Sequence, residues 1–247
     1  MSKVYVDLLE TLKCSPGDHN WATSDDEETW DRHQADKATR KQLKKLGWTK
    51  DSITYRCDSL GFRNKFDLEK DQTYTLFMGD SFTFGVGLRE QQIWTHHVKE
   101  FLDKPCYNAA RSGYGIDSCY RTLKYLLNQG YKFDNMFLFS PSKSRVEIWD
   151  NFEKKWMTVA WWTHYKKDLI TKLNHPYFST INFDKTIDAI ENLCTKNNIT
   201  MFHLNTEECD DILFNDNTAR DLQHAGPIAQ EVIANNFIKL YDNNLQL

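Results

Sequence analysis

The chain has 247 residues, 31 basic against 35 acidic side chains, and a net charge of −4. That length fits one to two domains with a full hydrophobic core, and the aromatic share of 14% excludes a disordered chain. The acidic balance argues against a general nucleic-acid binder, and the absence of a long apolar run argues against a membrane-spanning helix. The opening Met1-Ser2-Lys3-Val4-Tyr5-Val6-Asp7 lacks the apolar stretch of a secretory signal, so a cytoplasmic or otherwise non-Sec-secreted protein is expected. The six cysteines are scattered without a C-x-x-C pair, which suggests neither a zinc site nor a disulfide framework.

In chain order, Ser24 followed by Glu27 forms a capping-box pattern, and the charged stretch behind it runs to Leu46 and stops at Gly47. Residues 1–54 are therefore expected to form an accessory helical arm, and residues 55–247 the main domain. From residue 73 short apolar runs alternate with amphipathic helices. Tyr74–Met78, Pro105–Asn108, Met136–Phe139 and Ile199–Leu204 read as strands. The apolar positions Ile93 to Leu102, Ile116 to Leu127 and Phe183 to Cys194 read as helices, and Gly226-Pro227 opens a last one. Such alternation implies an α/β architecture with a short parallel sheet between helical layers. Ligands of such sheets bind beyond the carboxyl ends of the strands, so the residues just after each strand are the first candidates for chemistry.

Three segments stand there. The first strand exits into Gly79-Asp80-Ser81-Phe82, which offers a serine before a helix, although Gly-Asp-Ser is also common turn chemistry. Asp221-Leu222-Gln223-His224 precedes the last helix. A nucleophilic serine needs a base, and the base needs an orienting acceptor, and an Asp and a His three apart in a turn can supply both. An N-cap aspartate with an exposed histidine is the plainer account of that segment taken alone. After the second strand, Asn108-Ala109-Ala110-Arg111-Ser112-Gly113-Tyr114-Gly115 offers a glycine at which backbone can approach a ligand. It is not a dinucleotide loop, because Ser118 stands where G-x-G-x-x-G requires glycine.

Together the three segments resemble the SGNH (GDSL-type) hydrolase family, in the family's order, over roughly residues 55–241. Asp58-Ser59-Leu60-Gly61-Phe62-Arg63 resembles a segment that often precedes this domain, and Thr83-Phe84-Gly85-Val86-Gly87 resembles the continuation of its first block. The resemblance implies a three-layer, flavodoxin-like SGNH hydrolase fold. It implies Ser81 as nucleophile, His224 as base, Asp221 as the acid that orients it, and the N–H groups of Ser81 and Gly113 as oxyanion donors. No metal or organic cofactor is implied. The family's third block, Gly-x-Asn-Asp, is replaced by Ser140-Pro141-Ser142-Lys143, which leaves the Ser142 hydroxyl as the nearest substitute for the missing Asn donor.

An insertion at 146–180 follows the third strand and carries Trp149, Trp156, Trp161 and Trp162, with Phe152, His164, Tyr165 and Tyr177. These aromatics suit contact with a substrate, and equally a satellite core or an association surface. His96-His97 is not expected to share a metal, and Glu207-Glu208-Cys209-Asp210-Asp211 reads as a solvated acidic loop. The expected function is hydrolysis of a carboxylic ester on a small molecule or an O-acylated glycan, with no nucleic-acid or membrane partner and with oligomerisation open. The alternative is a catalytically silent member of the same fold used for binding or assembly. A phosphate-ester enzyme is a remoter option, without a phosphate loop to support it.

Overall fold

A computed structural model describes residues 14–151, 155–160, 173, 175–209 and 217–245. Its centre is a parallel sheet made by the four apolar runs: β3 (Thr73–Gly79), β4 (Cys106–Asn108), β5 (Lys132–Ser140) and β8 (Thr200–Asn205), in the spatial order β4-β3-β5-β8. Side chains alternate between its faces, as the period of two requires. Tyr74, Leu76, Met78, Met136 and Leu138 point to one side and pack with Ile116, Cys119, Leu123 and Leu126 of α5 (Ile116–Asn128) and with Phe183, Ile190 and Cys194 of α6 (Pro176–Lys196). Phe77, Phe137, Phe139 and Phe202 point to the other side. They meet Trp94 and Val98 of α4 (Trp94–Leu102) and Ile233 and Phe237 of α7 (Pro227–Leu245). The result is the expected three-layer α/β fold.

The residues before 55 add their own side chains to the second of these cores. Two helices, α1 (Glu27–Ala35) and α2 (Lys37–Lys45), follow a short strand β1 (Gly17–His19) that pairs antiparallel with β2 (Tyr55–Cys57). Trp30, Leu43, Trp48 and Ile53 are buried in the same cluster as Trp94 and Phe237. The capping box expected at Ser24 is not used. Asp26 caps α1, accepting the Thr29 N–H at 2.6 Å, and the Ser24 hydroxyl is left for another partner.

The 146–180 insertion begins with an antiparallel hairpin, β6 (Val146–Asp150) with β7 (Lys155–Val159), which breaks the strand–helix alternation. It is tied to α5 through Glu147, whose carboxylate accepts the Ser118 hydroxyl and Arg121 Nη2. A short segment α3 (Ser81–Phe84) follows β3 directly and carries the first candidate motif.

Candidate active site

β3 ends at Gly79, whose φ of +156° and proximity to the Phe139 carbonyl, 2.7 Å from where a Cβ would sit, leave no room for a side chain. The chain therefore turns sharply out of the sheet into Asp80 and Ser81. Asp80 is fully buried. Its Oδ1 accepts the Phe82 N–H at 3.0 Å, and its Oδ2 receives Arg145 Nη1 at 2.5 Å. Ser81 is 4% exposed, and among the described residues neither its hydroxyl nor its N–H is spent on a partner. Arg63, itself buried, donates to the carbonyls of Phe84 (3.1 Å), Gly85 (2.6 Å) and Leu88 (2.8 Å), while its guanidinium stacks 4.4 Å above the Tyr55 ring. Three carbonyl oxygens of the turn behind the serine are thus satisfied by one buried cation.

The second motif forms a closed turn. Thr218 bridges to Ala225, Ala219 N–H donates to the His224 carbonyl at 2.9 Å, and Leu222 takes a left-handed φ of +57°. At the tip, Asp221 Oδ2 lies 2.6 Å from His224 Nδ1, and Oδ1 accepts the N–H groups of Gln223 and His224, each at 3.1 Å. Burial pushes the Asp221 carboxyl up, but the bonds from His224, Ser24 and Gln223 outweigh it and hold the group below its usual range. With Nδ1 held by the carboxylate, Nε2 is left as the basic nitrogen. It carries no partner among the described residues.

This turn packs against the one that follows Ser81. Arg220 N–H donates to the Gly87 carbonyl at 2.9 Å, and the His224 ring meets Phe82, the neighbour of Ser81, edge to face at 5.6 Å. The serine turn and the Asp–His turn, more than a hundred residues apart in sequence, therefore share one rim of the sheet. No hydrogen bond joins Ser81 Oγ to His224 in this resting arrangement.

The third motif borders the same rim. Asn108 Nδ2 donates to the Thr83 carbonyl at 2.7 Å, and Asn108 Oδ1 accepts the Ala110 N–H at 3.0 Å, which fastens the loop after β4 to the serine segment. Gly113 adopts φ +81°, and a Cβ there would meet nothing within 4 Å, so its backbone borders open space. Ser142 Oγ lies 3.1 Å from Ser144 Oγ. Arg145, which the sequence did not single out, joins two of the segments: Nη1 binds both Asp80 and, at 3.0 Å, the Tyr114 carbonyl. Trp149 and Trp156 are cross-strand partners in the β6–β7 hairpin, with ring centroids 5.8 Å apart, and Arg121 stacks 4.9 Å from the Trp156 ring. Trp161, Trp162, Phe152, His164 and Tyr165 lie outside the described residues, as do Asp210 and Asp211. His96 and His97 are neighbours on α4, with ring centroids 6.0 Å apart.

A carboxylate–imidazole pair beside a serine with an unspent hydroxyl is an arrangement able to deprotonate that hydroxyl. Unspent N–H groups at the same rim can accept developing negative charge on a substrate oxygen. No protein-family model matches this chain, and no curated protein sequence does. Among solved structures the chain is similar in fold to the psychrotrophic esterase EstA from Pseudoalteromonas sp., at 15% identity over 72% of this chain and 100% of the esterase chain, with a TM-score of 0.41. It is similar to the acetyl xylan esterase Est2A from the rumen bacterium Butyrivibrio proteoclasticus at 12% identity, covering 74% of this chain and 66% of that one, with a TM-score of 0.41. A member of the lipolytic G-D-S-L family from Veillonella parvula is matched at 10% identity over 69% of this chain and 99% of its own, with a TM-score of 0.36.

Proposed function

We propose that this chain hydrolyses a carboxylic ester, with Ser81 as nucleophile, His224 as general base and Asp221 as the acid that holds His224 in its working tautomer. The observation that carries the reading is the 2.6 Å contact between the buried Asp221 Oδ2 and His224 Nδ1, on the same rim as a serine hydroxyl that nothing else engages. Ser81 Oγ attacks the carbonyl carbon as His224 Nε2 takes its proton. The tetrahedral oxyanion is received by the N–H groups of Ser81 and Gly113. Collapse expels the alcohol, which leaves with the proton from His224, and water then repeats the cycle on the acyl-enzyme. The Ser142 hydroxyl, which lies 3.1 Å from that of Ser144, remains the candidate third donor in place of the absent Asn. Trp149 and Trp156, and in sequence Trp161 and Trp162, suit a glycan or acyl group.

A second reading, a catalytically silent protein of this fold, draws on the Ser140-Pro141-Ser142-Lys143 segment, which lacks the family's Asn donor. Hydrolysis of p-nitrophenyl acetate separates the two. The hydrolase reading expects turnover by the full chain that is lost in Ser81→Ala and in His224→Gln. Turnover at the same rate in Ser81→Ala, or none in the folded wild type, favours the silent reading.

A further inference from the structure

The turn Ala22–Asp25 belongs to the segment before the main domain, yet its tip reaches the acid of the proposed triad. Ala22 and Asp25 close it with reciprocal backbone bonds of 2.9 and 3.1 Å, and Thr23 is forced to φ +57°, a conformation that a β-branched residue rarely adopts. Strain of this kind persists where surrounding contacts over-determine it, and it concentrates at functional sites. Here the surrounding contacts are specific. Ser24 Oγ donates to Asp221 Oδ2 at 2.7 Å, the same oxygen that holds His224 Nδ1. Asp25 takes a forked pair from Arg220 Nε (2.8 Å) and Nη2 (2.7 Å), with both partners buried. Arg220 also donates to the carbonyls of Lys50 and Asn20 and stacks 4.2 Å over Trp21. Asp25 Oδ2 accepts the Tyr55 hydroxyl, which in turn accepts the Gly87 N–H at 2.7 Å. Through Asp25 this one turn therefore holds the Asp–His turn by way of Arg220 and the serine turn by way of Tyr55.

Building on the hydrolase reading above, we propose that Ser24 is a positioning residue for the Asp221–His224 pair. Its hydroxyl fixes the carboxylate oxygen that orients the imidazole, and the Asp25–Arg220 fork holds that hydroxyl in register. The hydroxyl supplies the outer bond that a buried carboxylate needs to stay ionised and in plane with its histidine. The titratable and charged groups around Asp221 are His224 on its own turn, His33 of α1, whose Nε2 lies 3.1 Å from the Asp221 carbonyl oxygen, and the Asp25–Arg220 pair behind it.

The test compares Ser24→Ala and Ser24→Thr with the wild-type full chain. The low-field Nδ1–H proton resonance of His224 is followed by NMR against pH and identified by its loss in His224→Gln. Removing a donor to the charged carboxylate raises the pH at which Asp221 protonates. Ser24→Ala is therefore expected to move the resonance and to bring its collapse on acidification to a pH about one unit higher. Ser24→Thr, which keeps a hydroxyl, restores the wild-type behaviour. In ester turnover Ser24→Ala is expected to lower kcat about tenfold with KM unchanged. An unaltered His224 resonance and pH course in Ser24→Ala overturns the inference, as does a Ser24→Thr variant that behaves like alanine. The resonance is read in the resting protein. If Ser81 proves inert the hydrolase reading fails by itself, and the Ser24 contact is still tested.

Discussion

The two sides of the site are built to different standards. On the side of Asp221, both carboxylate oxygens are fully engaged: Oδ2 by Ser24 and His224, Oδ1 by two backbone N–H groups. Behind it stands a buried ion pair with further backbone bonds. On the other side, the Gly113 backbone borders open space, and the Ser142 hydroxyl faces that of Ser144. In the proposed mechanism the acid–base half is held by bonds from the segment before residue 55, while the charge-receiving half relies on backbone N–H groups. A proton-transfer group must be aimed within a few tenths of an ångström, and that demands outer support. Backbone donors are fixed by the chain itself and need only room for the ligand.

Four changes probe that contrast. The largest effect is expected from Asp221→Asn, which leaves the geometry but presents the wrong tautomer to His224. Ester turnover should fall about 10⁴-fold with unchanged far-ultraviolet circular dichroism. Next, Arg220→Met strips the buried Asp25 of its fork. An unpaired buried carboxylate costs about 3–5 kcal/mol, to be read from the denaturation midpoint at constant m-value. Third, two glycines with similar φ should differ. A Cβ on Gly87 (φ +71°) would lie 2.8 Å from Ala219 Cβ and 3.0 Å from Arg220 N, so Gly87→Ala pries the serine and Asp–His turns apart. Gly113→Ala meets only the strain of φ +81°, about 1–2 kcal/mol, and should lose less turnover than Gly87→Ala.

A last change concerns the hairpin. Burial pushes the Glu147 carboxyl up to about 7, against the opposing pull of Arg121 and Ser118. The folded value lies above the unfolded one, so the folded protein binds the proton more tightly. This group's contribution to stability is fully present below the ordinary carboxylate value and is lost as pH rises toward 7. Thermal unfolding between pH 5 and about 8 should show that decline, and Glu147→Gln should flatten it.

Much of the scaffold was readable from residue pattern, because each strand is a short apolar run whose alternation matches its two buried faces, as in Tyr74–Met78. The three candidate motifs were readable for the same reason: each is local and follows a strand or precedes a helix. What the pattern could not reveal are partners joined only by the fold. Ser24 and Asp221 are 197 positions apart, and the capping-box spacing gave Ser24 a local task that Asp26 performs instead. Arg63 enters the sequence only as the end of the Asp58–Arg63 lead-in, and its partners, the carbonyls of Phe84, Gly85 and Leu88, are supplied by the fold. Arg145 lies just after Ser140-Pro141-Ser142-Lys143, but nothing in its spacing points to Asp80. The β6–β7 hairpin was hidden because its tryptophans stood out by composition while its strands are only half buried.

The central claim is that Ser81 is a nucleophile served by His224. Intact-mass measurement after treatment with a fluorophosphonate tests it most directly. The account predicts one adduct per chain, mapped to Ser81, absent in Ser81→Ala and formed far more slowly in His224→Gln. Folded wild-type protein that takes up no adduct, or takes it up at a residue other than Ser81, would contradict it.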